Sequence, residues 1–196
     1  MNAKDRDDLK RLITRAMGEE EAQRAAAFEV SDVNVLSETA QELMRMLEPT
    51  PGACVMMSAA WAQHLRTAYN IPAVAVAGDL KIAGRWAFRM NRPLPDFKPG
   101  HGAIRMSWKG HCWMEIGGWI CDVSIFRTAY SMSMASPTRQ YIEKTFGLGR
   151  GACLIRADQL PEGLKYRRQA VLTLNQLIGF TESLGHLIEH GPDVFH

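Results

Sequence analysis

The sequence holds few cysteines, four among 196 residues, and no two of them stand in C-x-x-C spacing. Cys54, Cys112, Cys121 and Cys153 are too few for a disulfide scaffold, and a zinc site built from cysteine pairs is disfavoured. H-E-x-x-H is absent, and so is the H-x-E with a later P-C-x-x-C that marks zinc deaminases. Gly147-Leu148-Gly149-Arg150-Gly151 lacks the order of a phosphate loop and reads as a flexible loop. No metal and no cofactor are therefore expected. Net charge is also small: 23 Lys and Arg against 21 Asp and Glu, a formal +2. That balance gives no electrostatic footprint for nucleic acid or a membrane surface. No apolar run approaches the roughly 18 residues that span a bilayer. The opening Met1-Asn2-Ala3-Lys4-Asp5-Arg6 is charged and has no apolar segment behind it, unlike a secretory signal. The expected setting is a reducing cytoplasm with free thiols, although non-classical export would leave the same pattern.

What is present is ordinary globular composition, 46% hydrophobic and 22% charged, enough for one domain over residues 1–196. Apolar periodicity predicts a helix over 4–28, with Gly18 as a break, and a second over 37–48 behind Ser37, stopped by Pro49 and Pro51. Residues 54–69 are apolar all round, which marks a central buried helix. Val74–Ala77 reads as a strand, 84–101 as an irregular excursion and 103–108 as a strand. His111–Ile116, Gly117-Gly118 and Trp119–Ser124 form a hairpin pattern. Residues 128–150 read as a loop with a short helix, Leu154-Ile155 as strand, and 168–190 as a C-terminal helix. Helices followed by strands imply an α+β fold with an antiparallel sheet.

Chemistry concentrates at Cys54 and in the hairpin. Cys54 opens a helix, where the positive dipole end and free N–H groups favour a thiolate and can hold an oxyanion. A two-residue turn at Gly117-Gly118 pairs 116 with 119 and 113 with 122. His111, Trp113 and Glu115 then share a face with Ile120, Asp122 and Ser124, and His111 comes within diagonal reach of Asp122. A carboxylate beside an imidazole fixes its tautomer and supports its charge, which is the base–orienter half of a triad. His64 lies about 15 Å along the helix from Cys54, too far to serve it. His101, in a Pro/Gly-rich stretch, is the rival base, and His186, His190 and His196 belong to the C-terminal region. Cys112 and Cys121 fall on the face opposite His111 and are not opposed to each other, so they and Cys153 read as buried structural thiols.

Three blocks together resemble the transglutaminase-like superfamily of the papain-like cysteine fold. They are Gly52-Ala53-Cys54 with its helix running to Leu65-Arg66 and Ile71-Pro72-Ala73; His111-Cys112-Trp113-Met114-Glu115; and Gly118-Trp119-Ile120-Cys121-Asp122. The resemblance covers residues 52–124 and leaves 1–50 and 125–196 unmatched. Val74 stands where the family often has Arg, and Val123 where Pro often follows the Asp. The resemblance implies a papain-like core: the Cys-bearing helix packed on an antiparallel sheet, with extra N- and C-terminal helices. It also implies Cys54 as nucleophile, His111 as general base and acid, and Asp122 as orienting carboxylate. The reaction implied is acyl transfer through a thioacyl enzyme, by a peptidase, amidase or acyltransferase.

The substrate expected is a peptide, a protein or a small amide or thioester. Gln41 is a candidate oxyanion donor, with a solvated helix face as the plainer reading. The basic stretch from Lys81 to Lys109 interleaves Trp86 and Phe88. It offers Trp86 and Arg89, with Trp113 from the hairpin, as candidate substrate contacts; a solvated basic loop is the alternative. A catalytically silent binding module on the same fold is the rival function, and a helical adaptor the third.

Overall fold

The computed structural model describes residues 1–48, 50, 52–96, 100 and 108–191. His101, His196, Pro49, Pro51 and all but the last residue of the expected strand at 103–108 lie outside the described residues. Helix α1 (Ala3–Met17) begins where the Asn2 side chain accepts from Asp5 N–H at 2.8 Å. It ends at Gly18, whose φ of +95° suits only a residue without Cβ. Helix α2 (Glu19–Ala27) follows at once, its three opening glutamates matching the positive end of its dipole. Helix α3 (Val33–Met46) starts four residues earlier than the periodicity predicts. Asp32, rather than Ser37, caps it by accepting from Asn34 N–H. Helix α4 (Cys54–Ala68) is the buried central helix.

Strand β1 (Val74–Ile82) runs well past the predicted Ala77 and turns into β2 (Arg85–Phe88) inside the expected irregular excursion. Strands β3 (His111–Ile116) and β4 (Trp119–Asp122) make the hairpin. Its turn glycines, at φ +51° and +81°, supply the left-handed pair that such a two-residue connection needs. Where a loop with one short helix is predicted over 128–150, the chain forms two helices, α5 (Ile125–Ser131) and α6 (Pro137–Phe146). Strand β5 (Cys153–Arg156) follows. Residues 168–171, expected as helix, end the strand β6 (Lys165–Val171), and α7 (Leu174–His190) starts only at a Thr173–Gln176 capping box.

All strand pairs are antiparallel, in the order β2-β1-β3-β4-β5, with β6 on the other edge of β1. The hairpin register is the predicted one, with Ile116 opposite Trp119 and Met114 opposite Cys121. Alternation divides the sheet into two buried faces. Ala75, Ala77, Cys112, Met114 and Cys121 pack with α3, α4 and α7. Val74, Val76, Trp113 and Ile120 pack with α1, while Leu80 and Ile82 pack with α5 and α6. The result is an α+β domain with helices on both sides of one antiparallel sheet. No helix among the described residues is long and apolar enough to cross a membrane.

Candidate active site

Four element ends converge. Cys54 is the first residue of α4, His111 the first of β3, Asp122 the last of β4, and Ser124 the N-cap of α5. Their relative positions are tied one turn into α4, where the buried Ser58 hydroxyl donates to the Cys112 carbonyl at 3.0 Å. That bond joins the Cys54 helix to the residue next to His111. The sequence gives no hint of it, because a serine inside an apolar helix shows its partner only once the strand is in place.

His111 and Asp122 are both fully buried, with Nε2 2.6 Å from Oδ2. The carboxylate is held at both oxygens. Oδ1 accepts from the Ser124 N–H at 2.9 Å, the Ser124 hydroxyl at 3.0 Å and the Ile125 N–H at 3.0 Å, and so caps α5. Oδ2 accepts from the Tyr166 hydroxyl at 2.9 Å as well as from His111. Such a cage fixes the carboxylate rotamer and stabilises its charge. Burial works against ionisation of Asp122, but the facing imidazolium and these donors outweigh it and hold the carboxyl below its ordinary range. For His111, burial opposes the charge, yet the Asp122 carboxylate, with Cys54 adding to it, raises the imidazole from 6.5 to about 10. Both directions favour an imidazolium–carboxylate pair.

The remaining ring nitrogen, Nδ1, is buried and has no aligned hydrogen bond. Cys54 nevertheless acts on the imidazole both as a hydrogen-bond partner and as a charge. The thiol is thus close to the ring without full alignment. Phe88 stacks on the ring at 4.9 Å between centroids and shields it from water. Cys54 alone among the cysteines is not fully buried. Burial pushes the thiols of Cys112 and Cys121 well up and that of Cys153 up to about 12, so these three are inert.

Cys54 lines a cleft of about 300 Å³ with Gly52, Ala53, Phe88, Ser124 and Arg127 among its walls. The N-cap of α4 is Ala53, which has no side-chain acceptor, so the first-turn N–H groups carry no side-chain cap.

The other sequence candidates sit elsewhere. Gln41 is exposed on α3 and its amide donates to Ser37 Oγ at 3.3 Å, so it does not reach the cleft. Trp113 is fully buried and its indole N–H is taken by Glu115 at 2.9 Å, which makes it packing beneath His111 rather than a substrate contact. Trp86 and Arg89 also lie off the cleft, and for Trp86 the cause is a β-bulge. Leu80 faces Phe88 but Lys81 faces Trp86, so Ala87 is an extra residue. Phe88 therefore shares the His111 face while Trp86 turns to the other, under Lys81 at 4.3 Å and close to Arg89 and Arg167. Tyr166, Ser58 and Arg127 are the site residues that sequence reasoning missed, and Ser124 is one it places on the His111 face without a role. Tyr166 was hidden by its place at the start of an unpredicted strand.

His186, Glu189 and His190 are the described residues able to share a metal ion, with donor atoms within 4.8 Å of one another. They stand at the end of α7 and contribute nothing to the cleft. Comparison with known proteins finds no matching family model, no matching curated protein and no matching solved structure.

Proposed function

We propose that this chain is a cysteine-dependent acyl-transfer enzyme with a papain-like, transglutaminase-like core. The observation that carries the reading is the half-open imidazole: Nε2 is locked to a caged carboxylate, while buried Nδ1 is left for the thiol of Cys54. A purely structural buried histidine would have both nitrogens satisfied.

In this reading the Cys54 sulfur attacks the carbonyl carbon of an amide, ester or thioester. Its proton resides on His111, whose charge Asp122 supports. As the tetrahedral intermediate collapses, the bond to the leaving group breaks and His111 passes that group a proton. Water or an amine then takes the acyl group from sulfur, giving hydrolysis or transfer. The Cys54 backbone N–H, at the uncapped start of α4, is a donor for the oxyanion. Asp122 acts on the reaction through His111 and is a positioning residue.

The test is the pH dependence of iodoacetamide labelling at Cys54, followed by mass spectrometry in wild type and His111→Ala. A free thiol titrates at about 8.5. Labelling that stays fast below pH 7 in wild type and loses this acid limb in the variant is the expected result. Slow labelling, or identical profiles in the two proteins, rejects the enzyme reading in favour of a silent binding module.

A further inference from the structure

The cleft beside Cys54 holds a cation that the acyl-transfer mechanism does not use. Arg127, in the first turn of α5, is half-buried and lines the same cleft. Its guanidinium donates through Nη1 to the Leu47 carbonyl at 2.6 Å and through Nη2 to the Met44 carbonyl. These two bonds tie α5 to the C-terminal end of α3, where a cation also suits the dipole. They do not neutralise it. No carboxylate among the described residues pairs with Arg127, whereas Arg66, Arg139 and Arg168 each have one. Burial lowers its pKa with no acidic neighbour opposing the effect.

A partly desolvated guanidinium without a counter-ion is costly, and an anion entering from the open side removes the cost. Two of its five N–H groups go to the carbonyls, leaving others for a ligand, and the planar fork suits a carboxylate. Thr50, Ser124, Thr128 and Ser131 also line the cleft, and no Asp or Glu is among its lining residues to repel an anion. Three of these hydroxyls already donate, Thr50 to the Glu48 carbonyl, Ser131 to the Thr128 carbonyl and Ser124 to Asp122, so the guanidinium is the cleft's charged donor. At about 300 Å³ the cleft sits at the small end of ligand sites.

We infer that Arg127 is an anion-recognition residue that selects acyl donors whose short acyl part carries a carboxylate, such as a dicarboxylic monoamide or an acidic side-chain amide. The inference rests on the acyl-transfer reading for the chemistry at Cys54, but the anion site itself does not.

Two reagents of nearly equal shape separate charge from reactivity: iodoacetate and iodoacetamide. In wild type, iodoacetate should label Cys54 faster relative to iodoacetamide than it labels free cysteine. In Arg127→Gln that relative preference should fall about tenfold, the effect of losing one charge contact near the reacting centre. Arg127→Lys, which keeps the charge, should retain part of the preference and serves if the Gln variant fails to fold. No excess preference in wild type overturns the proposal, as does a preference that survives Arg127→Gln. If neither reagent labels Cys54, the acyl-transfer reading fails, and a second measurement decides the anion site. At matched ionic strength, succinate should raise the melting temperature of wild type above its value in succinamide, and should not do so in Arg127→Gln. Equal melting temperatures in the two additives overturn the anion site independently of the thiol.

Discussion

Strand β3 carries two buried ionic groups on one face, four residues apart, and they are finished differently. Glu115 is saturated: Arg168 grips it with Nε at 2.7 Å and Nη2 at 2.9 Å, and the Trp113 indole donates to it as well. The cluster links β3 across β1 to β6, and Arg168 Nη1 extends it to the Asp5 carbonyl on α1. His111 and Asp122 are as deeply buried, yet their pair stops one bond short, at Nδ1. A saturated pair holds a sheet together. A pair with one valence left open toward a thiol, beside a cleft, is what the proposed acyl transfer needs as its proton store. The contrast separates structure from chemistry within a single strand.

The largest expected effect lies on the structural side. Glu115→Ala strands the Arg168 guanidinium, which is only 12% exposed, and should cost about 3–5 kcal/mol in urea unfolding. The folded fraction should keep the wild-type pH profile of Cys54 labelling. If the acid limb of the profile moves, the two pairs form one network and the contrast fails.

Next is the pH dependence of stability conferred by the open pair. His111 is raised, so its contribution is complete below 6.5 and is lost as pH climbs through about 10. Asp122 is lowered, so its contribution is present above 3.8 and is lost as pH falls below that value. The unfolding midpoint of wild type relative to Asp122→Asn should therefore be greatest between these two ordinary values, and should shrink on both sides. A difference that is flat with pH would show that the pair is not ionised in the folded protein.

The smallest effect belongs to Tyr166→Phe. Removing one of the donors to the buried carboxylate should cost about 1–2 kcal/mol. It should also move the acid limb of Cys54 labelling, because Asp122 then supports the imidazolium less evenly. A stability loss with an unmoved limb would class Tyr166 with the Glu115 cluster, as structure alone.

Much of the fold was legible locally. The Gly117-Gly118 turn sets the hairpin register, and that register puts His111 and Asp122 on one face. The apolar run after Cys54 marks the buried helix. Errors fell where local pattern competes with tertiary context. Lys165-Tyr166-Arg167-Arg168 alternates weakly and carries charge, so its strand is visible only as the partner of β1. Trp86 and Phe88 look alike by spacing, two residues apart, until the bulge at Ala87 sends them to opposite faces. Gln41 is an amide upstream of Cys54, and only the orientation of α3 shows that it meets water.

The sequence by itself determined the place of Cys54 at a helix start, the hairpin and the pairing of its imidazole with a carboxylate. Each depends on residues close along the chain, or on a register set by one turn. Tertiary structure alone decided that Ser58 binds the helix to β3, that Tyr166 and the α5 N–H groups cage Asp122, and that Arg127 enters the cleft. These contacts join residues that are distant along the chain or depend on how a chain end is turned, and no local periodicity encodes such meetings.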